Sequence, residues 1–241
     1  IQTIIFATSI IFLLYFYEII RFYSPALLKF NFFNSIQKTD SNVDKKKEES
    51  KFDVIKKLKQ QKGIDVVPSI FPKALFKYKQ FSKANDIFPL GGISNTITVF
   101  CKEGKEFSIY KSDRFGFNNP DEEWNNDKIF LFLIGDSFTQ GSCVQPGEDF
   151  ASQLRILSKK KTISLGMSGN GPLIELATLK EYAYMKKPEI VLWLYFERND
   201  LSDLKIEKTN SIFLKYLEKD FTQKLYYKQQ DADKKLRKYL E

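Results

Sequence analysis

The sequence predicts an α/β fold, a three-layer sandwich with a mainly parallel sheet, preceded by an N-terminal transmembrane helix. Three observations predict it. The runs Ile129–Ile134, Thr162–Leu165 and Glu189–Phe196 are apolar and rich in β-formers, the pattern of buried strands. Stretches of helical period, Asp149–Leu157 and Leu173–Met185, lie between them. Strand, helix, strand, helix, strand is the order of a parallel sheet with right-handed crossovers. The third observation is at the start of the chain, where Ile4–Ile20 is almost wholly apolar with Glu18 as its one charge.

In chain order, residues 1–23 read as a membrane anchor. The segment is long enough to span a bilayer, and Tyr15, Tyr17, Phe22 and Tyr23 suit an interfacial aromatic belt. The rival reading is the apolar part of a signal peptide, but no small-residue cleavage site follows. Residues 24–62 read as a polar tether ending in a short amphipathic helix. The tether stretch Ser35–Lys51 lacks the apolar surface needed to offset the entropy of ordering it. In the helix Phe52, Ile55 and Leu58 share a face. Residues 63–241 read as the α/β domain. Pro68, Pro72 and Pro89 punctuate an irregular stretch, and Ile93–Phe100 with Glu106–Tyr110 read as a hairpin turning at Gly104. Beyond Ile206, Phe213, Leu217, Phe221 and Leu225 fall four apart, one apolar stripe on a solvated helix.

Composition narrows the function. With 241 residues there is room for one α/β domain plus an anchor. The net charge of +8 comes from scattered lysines without an arginine-rich stripe, so a nucleic-acid partner is not expected. Two cysteines, Cys101 and Cys143, are too few for a disulfide framework or a thiolate zinc site. Pairing in an oxidising compartment stays open beside the simpler reading as small apolar residues. The chain contains no histidine, which excludes His-Glu-x-x-His zinc chemistry, and no metal or cofactor is called for.

The chemistry points to the strand exits. Open α/β sheets bind ligands just past the carboxyl ends of their strands, and Gly135-Asp136-Ser137 stands at the end of the first run. Ser137 is the candidate nucleophile; the plainer reading is that Asp136-Ser137 caps the next helix. A glycine block, Gly166-Met167-Ser168-Gly169-Asn170-Gly171, follows the second run, and Glu197-Arg198-Asn199-Asp200 follows the third. The plainer readings are a tight turn and a strand-end turn residue. No Gly-x-Ser-x-Gly elbow or phosphate loop is present.

These three blocks, in this order, resemble the SGNH/GDSL hydrolases over residues 112–203, well under half the chain. The resemblance implies a flavodoxin-like sandwich and an acyl-enzyme formed on Ser137. It implies an oxyanion hole built from the Ser137 backbone N–H, Gly169 and Asn199, with Gly135 and Asp136 supporting the nucleophile turn. It also implies ester hydrolysis or acyl transfer on cell-envelope glycans or lipids, with the domain periplasmic or extracellular. Membrane-linked members carry a segment similar to Asp113-Arg114-Phe115-Gly116-Phe117-Asn118-Asn119, which a packed glycine turn explains equally well.

There are departures. Glu197 stands where the family has a glycine, and Ser164 where an asparagine is common. The family's late Asp-x-x-His is absent: Asp231-Ala232-Asp233-Lys234 has lysine at the histidine position, on a charged helix that is a poor place to lower a lysine pKa. The expectation is a fragment whose base lies in a C-terminal segment. The alternative is a catalytically inactive SGNH-like module that binds a glycan or a partner.

Overall fold

The structure is a computed structural model that describes residues 49–81 and 87–241. The anchor expected over residues 1–23 and the tether up to residue 48 lie outside the described residues. Among the described residues no helix is long and apolar enough to cross a membrane.

The first helix, α1 (Lys51–Lys62), begins at a capping box. The Ser50 hydroxyl accepts from the Asp53 N–H at 3.2 Å while the Asp53 carboxylate accepts from the Ser50 N–H at 3.1 Å. Gly63, at φ 58°, ends it in the left-handed region that glycine tolerates. Ile55 from α1 is buried with Val66 and Val99. The short amphipathic helix therefore packs onto a sheet instead of ending a tether, and belongs with the unit 49–241.

That sheet has three strands. β1 (Val66–Pro68) runs parallel to β2 (Ile97–Glu103), and β2 pairs antiparallel with β3 (Glu106–Lys111) across an irregularity between Val99 and Lys102. The hairpin is the one the sequence predicts. Three residues of β1 were too few to stand out among the prolines of an irregular stretch. The same stretch holds a further short helix, α2 (Pro72–Leu75), and a 3₁₀ turn, Lys79–Phe81.

The second sheet is wholly parallel. β4 (Leu131–Gly135) is central, with β5 (Thr162–Ser164) on one side and β6 (Ile190–Leu194) on the other. The chain leaves β4 through a four-residue helix, α3 (Ser137–Gln140), and then α4 (Phe150–Ser158), which Asp149 caps by accepting from the Ser152 N–H at 2.9 Å. It leaves β5 through α5 (Pro172–Thr178), which continues as a π-helical turn, Leu179–Ala183, and a 3₁₀ turn, Tyr184–Lys186. Alternate side chains of β4 serve two cores, as the period of two requires. Leu131 and Leu133 pack with Ala151 of α4, whereas Phe132 and Ile134 pack with Leu173, Ile174 and Ala177 of α5. The protein is thus α/β with small, mostly parallel sheets. The order places β4, the first of these strands, between the two that follow it, so the connections diverge at its carboxyl end.

Two expectations are corrected. The stripe Phe213–Leu225 is not one helix. After α6 (Asp200–Glu207) come a short α7 (Ser211–Lys215), a 3₁₀ turn at Leu225–Tyr227 and α8 (Gln229–Leu240). Phe213 and Leu225 are buried but Leu217 is 63% exposed. The cause is Glu181, whose buried carboxylate accepts from the Tyr216 hydroxyl at 2.6 Å, the Thr222 hydroxyl at 2.9 Å, and the backbone N–H groups of Gln223 and Leu225 at 2.5 and 2.7 Å. Backbone donors held this way are lost to a helix. The second correction concerns the cysteines: Cys101 of β2 and Cys143, in the loop after α3, form a disulfide.

β6 departs from the burial expected of an interior parallel strand. Ile190, Val191, Leu192 and Trp193 are each 41–47% exposed, and among the described residues no strand pairs with its outer edge.

Candidate functional site

Gly135 closes β4, and the chain turns at once into α3. Glycine is required there by contact: a Cβ on Gly135 would stand 2.1 Å from the Thr139 hydroxyl. Asp136 is the N-cap of α3, its Oδ1 accepting from the Phe138 N–H at 3.0 Å. The capping reading therefore describes Asp136. It does not describe Ser137, the first residue of α3, which is half-buried and whose hydroxyl has no hydrogen-bond partner among the described residues.

The second block is stitched to this turn. The Met167 N–H donates to the Gly135 carbonyl at 3.3 Å, and the Ser164 hydroxyl donates to the Thr139 carbonyl at 2.7 Å. Gln140, which the sequence did not single out, accepts from the backbone N–H and hydroxyl of Ser168 at 2.7 and 2.8 Å. A Cβ on Gly166 would lie 2.5 Å from the Gln140 backbone nitrogen, so α3 sits directly on this strand exit. Gly169 has φ +73°, and a Cβ placed on it would stand 3.2 Å from the Cδ of Lys73, from α2. Asn170 is fully buried, and neither atom of its amide has a partner.

The third block joins both. Asn199, the N-cap of α6, donates through Nδ2 to Asp136 and to Asp203, each at 3.2 Å. Asp203 forms an ion pair with Lys73. A continuous path thus runs from Asp136 through Asn199, Asp203 and Lys73 to Gly169, linking the exits of β4, β5 and β6. Both hydrogens of the Asn199 amide are directed at carboxylates, and its buried Oδ1 has no partner. As arranged, Asn199 orients Asp136; its donors are engaged rather than open.

Beneath this path lies a shell of buried carboxylates that sequence reasoning missed. Glu207 accepts from the Gly171 and Leu173 N–H groups at 2.6 and 2.9 Å, satisfying donors at the start of α5, and burial pushes it up to about 6. Glu175, on α5, accepts from the Trp193 indole N–H at 2.7 Å and is raised to about 8, first by burial and then by the charges of Asp200, Glu207 and Asp136. Burial raises Asp200 as well. A signal for Glu175 was present in the sequence: it follows Ile174 and precedes Leu176 and Ala177 on a helix read as apolar. Lys73 had none, because it lies in a proline-punctuated stretch without periodicity. Among the described residues no cluster of three or more His, Cys, Asp or Glu could hold a metal ion.

The Asp113–Asn119 segment buttresses the site. Asp113 accepts from the Phe115 and Phe117 N–H groups, the Asn119 amide and the Trp124 indole at 2.7–2.9 Å. Asn119 pairs with the Ser164 N–H and C=O, both at 2.8 Å, and Asn118 donates to the Gln140 carbonyl at 3.0 Å. Asp233, near the histidine position of the family pattern, is structural: it accepts from the Ser94 N–H and hydroxyl at 3.0 and 2.6 Å.

No family model, curated protein or solved structure matches this chain.

Proposed function

We propose that the chain carries the nucleophile of an SGNH-type serine esterase or acyltransferase with a flavodoxin-like three-layer sandwich. Ser137 forms the acyl-enzyme, and its substrates are acyl groups of cell-envelope glycans or lipids. The observation that carries this reading is the convergence of the three blocks, with Asp136 and Asn199 hydrogen-bonded beside Ser137 at the carboxyl ends of a parallel sheet. The Ser137 and Gly169 backbone N–H groups serve as oxyanion donors, and Asn199 completes the hole once it releases one carboxylate.

The reading requires a base, since 241 residues without histidine supply no imidazole. A histidine supplied from outside these 241 residues would fill that role. The acidic shell of Asp136, Asp200 and Asp203 suits it, because nearby carboxylates favour the imidazolium that forms when Ser137 loses its proton. Residues 1–23 serve as the membrane anchor, and the domain faces the periplasm or cell exterior. The Cys101–Cys143 disulfide supports that side, since such bonds persist in oxidising compartments.

A second reading, an inactive SGNH-like binding module, is favoured by the engaged Asn199 donors together with the missing histidine. Chemical rescue separates the two. Added imidazole should give p-nitrophenyl acetate turnover above the imidazole-only background, and Ser137→Ala should abolish that excess while leaving the thermal melt unchanged. Equal turnover with Ser137→Ala rules out the nucleophile.

A further inference from the structure

The helical segment that begins with α5 ends in a groove of about 700 Å³ that the Ser137 site does not use. That volume falls within the ~300–1,000 Å³ of small-molecule sites. Its walls are aromatic. Phe221 and Tyr226 are half-buried, whereas Tyr184 and Tyr227 are 80% and 69% exposed, large rings left facing water.

The groove is pre-formed. The π-helical turn Leu179–Ala183, a distortion that recurs at functional sites, carries Glu181, whose four accepted hydrogen bonds hold residues 216–225 against it. Tyr226 and Tyr227 pack edge-to-face at 5.3 Å, and Phe221 packs edge-to-face on Tyr216 at 4.9 Å. Phe221, Tyr226 and Tyr227 are therefore packed before any ligand arrives, which lowers the ordering cost of binding.

The groove also holds a fixed cation. Lys180 donates to the backbone carbonyls of Tyr216 and Glu218 at 3.1 and 2.5 Å. An ammonium has three hydrogens, so one remains for a ligand, and neither acceptor neutralises its charge. The rim carries both signs, with Lys219 and Lys224 flanking Asp220.

We propose that this groove binds a saccharide bearing a carboxylate, of the uronic acid type. Aromatic faces receive the apolar C–H face of a pyranose ring, Lys180 receives the carboxylate through a charge-assisted hydrogen bond, and the mixed-sign rim serves the hydroxyl groups. Single-stranded nucleic acid is the competing occupant, and titration with a thymidine oligonucleotide separates the two. This inference does not depend on Ser137.

Isothermal titration of the full chain with digalacturonate, with the neutral digalactoside as comparator, tests it. The acidic disaccharide should bind more tightly. Lys180→Met should weaken it about tenfold, the loss of one charge-assisted contact, while changing the neutral ligand little. The doubly exposed variant Tyr184→Ala/Tyr227→Ala should weaken both, and it decides the matter if Lys180→Met fails to fold. Absence of binding to either disaccharide, equal affinity for both, or tighter binding of a thymidine oligonucleotide overturns the proposal.

Discussion

Glu175 illustrates how one buried residue can contribute to the pH dependence of the whole domain. In the folded chain it holds its proton to about pH 8, while unfolded it would release it near 4.5. The folded state therefore binds more protons across that window, and stability falls as pH rises. The contribution is complete below about 4.5 and is lost as pH passes through about 8. Asp113 and Glu207, both raised by burial to about 6, act in the same direction. A loss of about 2 kcal/mol, a conservative fraction of what the Glu175 displacement implies, corresponds to about 4–8 °C in Tm. Thermal melts should show the protein more stable at pH 5 than at pH 8.5, and Glu175→Gln should flatten that slope by stabilising the alkaline side. A Tm that is level or rises over this range contradicts the buried-carboxylate account. At this scale the sequence was partly legible. Ser137, Gly135 and Asp136 announced themselves by adjacency at a strand end. Lys73, Asp203 and Glu207 act through space, at separations that no local pattern encodes.

At the scale of elements, periodicity identified β4, β5, α4 and α5 because each buries at least one face against a neighbour, whereas β6 was legible only as a continuous apolar run. Periodicity failed after Ile206, where Glu181 takes backbone donors that a continuous helix would have used. It could not show that α3 rests on two strand exits at once. Gly166→Ala would place a methyl group 2.5 Å from the Gln140 nitrogen and 2.6 Å from the Thr139 carbonyl carbon, so α3 must shift. Overpacking of this kind costs about 1–3 kcal/mol. Urea denaturation should show a loss in that range, together with loss of any Ser137-dependent turnover. A neutral effect on both would mean that α3 is not held where the contacts place it. The disulfide belongs to the same scale: it ties the loop after α3 to the hairpin sheet across a sequence separation of 42 residues.

Over the whole molecule, the α/β class was legible in the order of elements, but the cover of the sheet was not. Ile190–Leu194 has the continuous apolar composition of a strand buried on both faces, yet the described residues leave four of its five side chains 41–47% exposed. The Ile190 N–H donates to the Phe130 carbonyl at 2.9 Å, so by alternation the backbone groups of Val191 and Trp193 point away from β4. An apolar strand with outward-facing, unpaired donors and acceptors is a template for pairing with another chain. Purified protein should accordingly self-associate as its concentration rises. Val191→Lys places on this edge the charge that natural proteins use to block such pairing, and it removes no contact made by Trp193 to Glu175. Sedimentation velocity across a concentration series should show the variant remaining monomeric where the parent chain associates, with the two melting at nearly the same temperature. Identical behaviour of the two would mean that the outer edge of β6 is not a pairing site.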